Sequence, residues 1–379
     1  MIFFHQLLAS RELGGAGSIA LHLASDLQSR AVESHVWLCG EGAALHRAKQ
    51  LGLPIHTYNA SSIFSRSKVI ATAGNLSTLW KLRSYSSGII HVHSPNLFGA
   101  LQPALLLCTL KSIVHVHIEE DEKGLRWAFR RPPNLIITCA NYLSNYVQAL
   151  LPEAYQNQGR VRAIPNPVDT SQFYPGNRTA AKWRVGAPQG LPLVLMLANL
   201  ASHKGQEVAI RSVAELKKTG INIVLWLAGI ERGNQHSYTA RLKAICAELG
   251  VSDRVRFLGH RNDAADLLRA ADVFLLPSTH EGLPLSILEA QATKVPVLAA
   301  PTAGIPEVIV NGETGFLIQA HDIRGYTDRI KYLIQNADLY HSMIEKSYQK
   351  VLEGHTWTVY SEKLWQVYQE LISSSEKHL

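Results

Sequence analysis

An alternation of short apolar runs and helical segments over residues 271–318 restricts the fold more than any other part of the chain. The apolar runs are too short for helices and are typical of strands buried in a parallel sheet. The predicted elements are a strand at 273–277, a helix at 285–293, a strand at 295–299 and a short helix opened by the loop 304–307. This order predicts a parallel sheet, which binds ligands in the loops at the carboxyl ends of its strands.

Two carboxylates, Glu281 and Glu289, flank the start of the predicted helix 285–293. On one continuous helix this spacing separates them by about 12 Å, whereas the paired carboxylates of glycoside hydrolases lie roughly 5–9.5 Å apart. Because Glu281 precedes the helix, the spacing does not fix the actual distance. The pattern favours two anchors for one extended ligand, with an anion such as phosphate at the helix N-terminus between them.

The chain begins with a similar strand, turn and helix. Residues 1–8 predict a strand, Gly14 and Gly15 a glycine-rich turn, and residues 18–28 a helix with one apolar stripe. Glycine lets the backbone come close to a ligand. However, the turn does not follow the G-x-G-x-x-G pattern of dinucleotide sites, and a plain tight turn remains an alternative.

Two strands end in the sequence His-Val-His, at His91 and His93 and again at His115 and His117. The two-residue period of a strand puts each pair of side chains on one face of the sheet. No carboxylate or cysteine pattern accompanies them, so we expect polar side chains at strand ends rather than a metal site.

The motif at residues 281–290, EGLPLSILEA, preceded by Pro277-Ser278 and followed by GIPE at 304–307 and NGETGFL at 311–317, resembles family 4 of the retaining glycosyltransferases. The resemblance implies an α/β GT-B fold: two Rossmann-like doubly wound parallel-sheet domains face a cleft, and a C-terminal helix crosses back. The implied organisation is an N-terminal acceptor domain 1–166 completed by 358–379, a linker 167–190, and a nucleotide-sugar donor domain 191–357.

The resemblance also assigns roles to individual residues. It implies that Glu281 and the amides after it hold the donor sugar, that Glu289 binds the ribose, that Lys204 faces the diphosphate and that His117 contacts the sugar. The implied catalytic residues are therefore His117, Lys204 and Glu281. The implied donor-binding residues are Gly14, Gly15, Asn199, His260, Arg261, Gly282, Leu283, Pro284, Leu285, Ser286 and Glu289. The chain departs from the family at Asn199, where an arginine usually faces phosphate.

Composition places the chain among globular proteins. Its 379 residues suggest two or three domains. The four cysteines are widely spaced, which fits a reducing compartment better than a disulfide framework or a zinc cage. The N-terminus lacks the features of a signal peptide, and no run approaches the ~20 apolar residues of a membrane span. We therefore expect a cytoplasmic protein.

The formal net charge of +7 is unevenly distributed, because residues 42–118 contain no Asp or Glu. The cations of this region are Arg47, Lys49, Arg66, Lys68, Lys81, Arg83 and Lys111. They suit an anionic partner such as the inner membrane surface or a lipid-linked phosphate, although a scattered solvated surface is an equal alternative. Nucleic acid is disfavoured because no binding motif accompanies the charge.

These patterns and the resemblance predict transfer of a hexose from a nucleotide-diphosphate sugar to a hydroxyl of a glycan or lipid-linked acceptor. UDP-sugars are the preferred donors and GDP-mannose the next, in the synthesis of envelope polysaccharides or glycoconjugates. We expect retention of the anomeric configuration and no metal or other cofactor. The alternatives are a non-catalytic subunit that keeps the fold, which Asn199 would explain, and a nucleotide-sugar epimerase.

Overall fold

The computed structural model describes residues 2–64, 68–85, 87–231 and 237–376. The chain forms two compact units, Met1–Asn166 with Tyr360–Leu379, and Pro167–Val359. Each unit is built on one sheet in which every pairing between strands is parallel. Among the described residues, no helix combines the length and apolar character needed to cross a bilayer.

The first unit contains a seven-stranded sheet of order β3-β2-β1-β4-β5-β6-β7. Its strands are β1 Phe3–Leu7, β2 Glu33–Leu38, β3 Ile55–Thr57, β4 Gly88–Val92, β5 Lys111–Val116, β6 Leu135–Thr138 and β7 Val161–Ala163. Its helices before the chain leaves the unit are α1 Gly15–Ser29, α2 Ala43–Gln50, α3 Ala60–Ile63, α4 Lys68–Leu82, α5 Pro95–Leu105, α6 Glu122–Ala128, α7 Asn141–Leu150 and α8 Glu153–Gln156. The order of strands reverses between β1 and β4, which opens a crevice at their carboxyl ends.

The second unit repeats this plan with a six-stranded sheet of order β10-β9-β8-β11-β12-β13. Its strands are β8 Leu193–Leu197, β9 Val224–Ala228, β10 Val255–Gly259, β11 Val273–Leu276, β12 Val297–Ala299 and β13 Phe316–Leu317. Its helices are α9 Arg178–Val185, α10 Gln206–Lys218, α11 Ser237–Glu248, α12 Ala264–Ala270, α13 Leu285–Ala292, α14 Ile305–Val308, α15 Ile323–Gln335 and α16 Ala337–Gly354. The reversal lies between β8 and β11. The prediction of two doubly wound parallel sheets is confirmed.

The last helix, α17 Trp357–Glu376, packs onto the first sheet from Tyr360 onward. The ring of the buried Tyr368 lies 5.0 Å from that of Phe4, centroid to centroid. The Tyr368 hydroxyl lies 2.7 Å from His91 Nδ1. Near the end of the helix, Arg162 forms an ion pair of 2.6 Å with Glu370. The terminal segment therefore contributes both apolar packing and polar partners to the first unit.

Part of the segment 167–190, predicted as a linker from its proline and glycine content, folds as α9 and packs against α12. Asp272 fixes it in place, because its carboxylate lies 2.9 Å from Arg178 Nη1 and 2.7 Å from Lys182 Nζ. The same carboxylate accepts from the amide of Leu193 at 2.8 Å. Local composition did not reveal the helix, because Asp272, which binds the two cations of α9, lies about 90 positions further along the chain.

Candidate functional site

The loops that follow β8 and β11 meet where the strand order of the second sheet reverses. Gly205 stands at φ +76°, and a Cβ placed there would lie 2.2 Å from the carbonyl oxygen of Pro277, so only glycine fits. Two hydrogen bonds to the His203 carbonyl close the contact, from Thr279 N–H at 2.8 Å and from Ser278 Oγ at 2.9 Å. The two loops thus form one rigid structure at the position where such sheets bind ligands.

This contact brings together two of the predicted catalytic residues, Lys204 and Glu281. The Lys204 ammonium donates to Glu281 Oε1 at 2.7 Å, and the side chains are only 17% and 6% exposed. A nearly buried carboxylate is costly without a cation, so the contact between the two side chains offsets the cost of their burial. The pair offers a fixed positive charge for an anion and a carboxylate oxygen for hydroxyl groups.

Helix α13 begins immediately after this pair and carries the second predicted carboxylate. Pro284 precedes its first residue, and no described side chain caps the N-terminus, so the helix end retains its attraction for an anion. Leu283 is buried, whereas Leu285 and Ser286 are half-buried. Glu289 lies one turn into the helix, and burial raises the pKa of its carboxyl to about 7. Glu289 therefore changes its charge near neutral pH.

Three further residues predicted to contact the donor, Asn199, His260 and Arg261, lie in loops of the second unit. The guanidinium of Arg261 is held by the carboxylate of Asp263 two residues on, which lowers the pKa of that carboxyl. His260 is exposed, with its Nε2 3.1 Å from Asn262 Oδ1. The carbonyl of Asn199 accepts from Gln206 Nε2 at 2.9 Å. A base contact by His260 or Arg261 stays a prediction.

In the first unit, Gly14 and Gly15 open α1 directly after the loop that follows β1. Gly14 is the N-cap with an extended φ of −96°, and none of the side chains that the structure describes caps the helix. Neither glycine is therefore required for a left-handed backbone. Their small size instead leaves a bare helix N-terminus at the crevice of the first sheet, which suits approach by a ligand.

His117, the third predicted catalytic residue, belongs to a hydrogen-bonded chain that starts at Gln6. Gln6 Oε1 can only accept, so the His93 Nε2 at 2.8 Å must carry a proton. Burial lowers the pKa of His93 well below its ordinary value, so the ring is neutral and its Nδ1 accepts from His117 Nε2 at 3.2 Å. Burial also lowers the pKa of His117 to about 3. His117 is thus a neutral imidazole with its lone pair on Nδ1, an atom that has no hydrogen-bond partner among the described residues.

The histidines of the two strands form a buried stack in which ring nitrogens of His91, His93 and His115 lie within 4.8 Å of one another. A metal lies in the plane of each imidazole that binds it, at about 2.0–2.1 Å. The rings of His91 and His115 instead stack in parallel, at 4° and 5.5 Å between centroids, and both nitrogens of His93 already have partners. The group does not form a ready metal site, and independence from metal stays a prediction.

The sequence did not reveal the supporting residues Gln6 and Tyr368. Gln6 lies on the buried strand β1, and Tyr368 lies on α17, where its hydroxyl is 2.7 Å from His91 Nδ1. The available signal was a polar residue within an apolar strand, FFHQL. Such a residue requires a buried partner, but its partners are 87 and 362 positions away in the chain.

Comparisons with known proteins agree with this geometry. Residues 13–172 match the family model described as Glycosyltransferase Family 4, and residues 177–350 match that of Glycosyl transferases group 1. A D-inositol 3-phosphate glycosyltransferase of Corynebacterium jeikeium is 31% identical over 218 residues, covering 56% of this chain and 52% of that protein. The Streptomyces avermitilis protein of the same name is 35% identical over 177 residues, covering 45% and 38%. The chain thus spans about half or less of these relatives.

Solved structures match over nearly the whole chain. A glycosyltransferase from Rickettsia africae superimposes with a TM-score of 0.85 at 18% identity, covering 97% of this chain and 98% of that one. HepE from Anabaena, in complex with UDP-glucose, gives 0.84 at 18% identity and covers 98% and 100%. These likenesses establish the shared fold. The two adjoining family matches together cover most of residues 13–350, and on that ground the chain belongs to the group 1 glycosyltransferases, family 4.

Proposed function

We propose that this protein transfers a hexose from a nucleotide-diphosphate sugar to a hydroxyl of a glycan or lipid-linked acceptor, with retention and without a metal. The observation that carries the proposal is the pair Lys204–Glu281, joined at 2.7 Å at the switch point of the second sheet. It places a fixed cation and a carboxylate beside the uncapped N-terminus of α13. This arrangement matches a ligand that carries both a diphosphate and sugar hydroxyls.

In the proposed reaction, the bond between the sugar C1 and the diphosphate oxygen breaks and the electron pair leaves with the diphosphate. The acceptor oxygen forms the new bond to C1 on the same face, and its proton passes to the departing phosphate oxygen. Lys204 and the N-terminus of α13 stabilise the charge that develops on the diphosphate. Glu281 orients the sugar hydroxyls, Glu289 the ribose, and His117 accepts from a sugar hydroxyl. Positioning supplies much of the remaining acceleration.

The proposed donor is a UDP-sugar, with GDP-mannose next, because HepE is described in complex with UDP-glucose and a pneumococcal O-GlcNAc transferase with UDP. For the acceptor, the first unit has a polar cavity of about 650 Å³ whose walls include Arg11, Glu41 and Lys81. Hydroxyl-bearing acceptors suit such a lining. We place the activity in the synthesis of envelope polysaccharides or glycoconjugates.

A thermal-shift panel of UDP-, GDP-, ADP- and dTDP-sugars tests this function, using the wild type, Glu289→Ala and the exposed control Glu313→Ala. A donor at a hundred times its Kd stabilises by about 2.7 kcal/mol, which corresponds to a rise of roughly 3 °C in Tm for a chain of 379 residues. We expect one nucleotide class to stabilise the wild type and the control, and to stabilise Glu289→Ala by about half as much or less. If no donor stabilises the wild type, a non-catalytic subunit becomes the better account, with Asn199 in place of the arginine as its cause.

A further inference from the structure

The first unit has a second cavity, of about 640 Å³, between α4, α5 and α6. The residues that line it are mainly apolar, and four of them are also exposed to solvent at its mouth. Those residues are Phe64, Leu76, Leu107 and Trp127, which are 46%, 58%, 71% and 45% exposed. A globular protein rarely leaves so much apolar surface together around a cavity unless something binds there.

The wall formed by α6 is fitted to α5 rather than loosely placed. Trp127 packs so closely on Gly99 that a Cβ at that glycine would lie 2.4 Å from the indole ring. The guanidinium of Arg130 lies over the same ring, 5.1 Å from its centroid. The cavity therefore has a defined aromatic side with a cation at its rim.

Two arginines without an ion pair among the described residues follow α6, and one of them, Arg130, lines this cavity. Arg130 and Arg131 are exposed and form no ion pair with any described residue. The described cations of 42–118 also form no ion pair with any described residue: Arg47, Lys49 and Arg83 are exposed, whereas Lys81 and Lys111 are half-buried. Lys81 donates to a backbone carbonyl. Arg66 lies outside the described residues, as does the side chain of Lys68. The acidic residues 119–122 precede α6, whereas the arginines follow its other end. Arg130 thus puts a positive charge at the rim of the cavity, and Arg131 adds a second one next to it in the chain.

Helix α4 separates this apolar cavity from the polar cavity of about 650 Å³. Gly74, Ser77, Thr78 and Lys81 line the polar one, at the spacing of one helix face. Ala71, Thr72, Asn75 and Leu76 line the apolar one. A molecule with a polar head and a hydrocarbon chain can therefore occupy both flanks of one helix.

We propose that the cavity between α4, α5 and α6 binds the hydrocarbon chain of a lipid-linked phosphate acceptor, whose phosphate is held by Arg130 and the neighbouring cations. The inference rests on the proposed function, since it names the class of acceptor. A protein partner fits less well, because the apolar surface is concave and of the volume that holds small ligands. The segment that carries His117 leads directly into α6, which links the chain-binding wall to the residue assigned to the sugar.

The experiment measures binding of decyl phosphate, kept below its micelle threshold, to the full-length protein by calorimetry. Methyl phosphate supplies the same charge without the chain. Each buried methylene strengthens binding roughly fourfold, so we expect decyl phosphate to bind and methyl phosphate to bind at least a hundredfold more weakly, by the same estimate. Equal affinities for the two compounds would overturn the proposal.

Three variants locate the site. Ala100→Phe fills the cavity from α5, and Leu107→Asp places a negative charge at its mouth; each should weaken decyl phosphate binding at least about tenfold. Trp183→Asp is the matched control, because Trp183 is also 71% exposed but lies in the second unit, and it should bind like the wild type. Because Leu107 is exposed, its replacement remains informative even if Ala100→Phe does not fold. Unchanged binding in Leu107→Asp would overturn the proposal.

Two further readouts separate this inference from the proposed function. Stabilisation by the nucleotide sugar should be the same in Leu107→Asp and in the wild type, since the donor residues lie elsewhere. Binding of decyl phosphate without any donor binding would support the cavity and count against the transferase. A dimer at micromolar concentration that Leu107→Asp dissociates, with decyl phosphate binding intact, would assign the surface to a second copy of the chain and overturn the proposal.

Discussion

Replacement of Glu289 by glutamine should make the protein more stable and a poorer donor binder. Burial raises the pKa of Glu289 from an ordinary 4.5 to about 7 in the folded chain. Between these two values the folded state holds a proton that the unfolded state has released, so stability falls as the pH rises through this window. Above pH 7 the full cost is present, and the difference in pKa corresponds to about 3 kcal/mol.

Glutamine removes this charge and its cost. We expect Glu289→Gln to be more stable than the wild type by about 1–3 kcal/mol at pH 8 and by less than about 1 kcal/mol at pH 5. Urea unfolding at the two pH values measures the difference. The substitution should shift the midpoint urea concentration and leave the dependence of the unfolding free energy on urea unchanged. Glu313→Gln is the control, because Glu313 is exposed and its substitution should have no effect at either pH.

The same substitution should weaken the donor complex. Hydrogen bonds from ribose hydroxyls to a carboxylate are worth about 1.5–3 kcal/mol, so we expect a loss of roughly tenfold or more in affinity. Wild-type affinity should also rise with pH through 7 as Glu289 ionises, whereas that of Glu289→Gln should stay flat. A stability difference that is the same at pH 5 and pH 8, or a parallel pH profile for the variant, would refute the reasoning.

Three other substitutions test the remaining structure. Lys204→Met leaves the buried Glu281 without its cation and should destabilise the protein by about 3 kcal/mol, which Lys204→Met/Glu281→Leu largely restores in urea unfolding; no recovery in the double variant would count against the pair. Gln6→Leu releases the fixed tautomer of His117 and should lower kcat roughly ten- to hundredfold while donor KM stays unchanged; a change confined to KM would contradict this chain of contacts. Gly205→Ala meets both a positive φ and a backbone contact, so it should cost at least about 2 kcal/mol, and a variant with wild-type Tm would show that the loops can separate.

The sequence predicted what depends on local pattern. The alternation over residues 271–318 indicated β11, α13, β12 and α14 within a residue or two, because apolar period and proline position act locally. The position of Glu281 before the helix was also readable, since Gly282 and Pro284 interrupt any helical pattern there. Its distance from Glu289 was not, because a loop fixes no spacing.

Contacts between distant positions could not be predicted from pattern. Lys204 and Glu281 are 77 positions apart, and only the order of strands in the sheet shows that their loops are neighbours. The same limit applied to Gln6, whose partners come from another strand and from the last helix. The histidine pairs were correctly placed on common strand faces, yet only the assembled sheet shows that the two pairs stack on each other.

The most direct test of the account is proton NMR of the slow hydrolysis of the nucleotide sugar that stabilises the protein, without acceptor. Water then takes the place of the acceptor hydroxyl, and the anomeric proton of the first free sugar reports the stereochemistry before mutarotation. The account predicts that the sugar appears with the donor's own configuration, and that Glu281→Gln slows its release. Release of the opposite anomer, or an unchanged rate in Glu281→Gln, would contradict it.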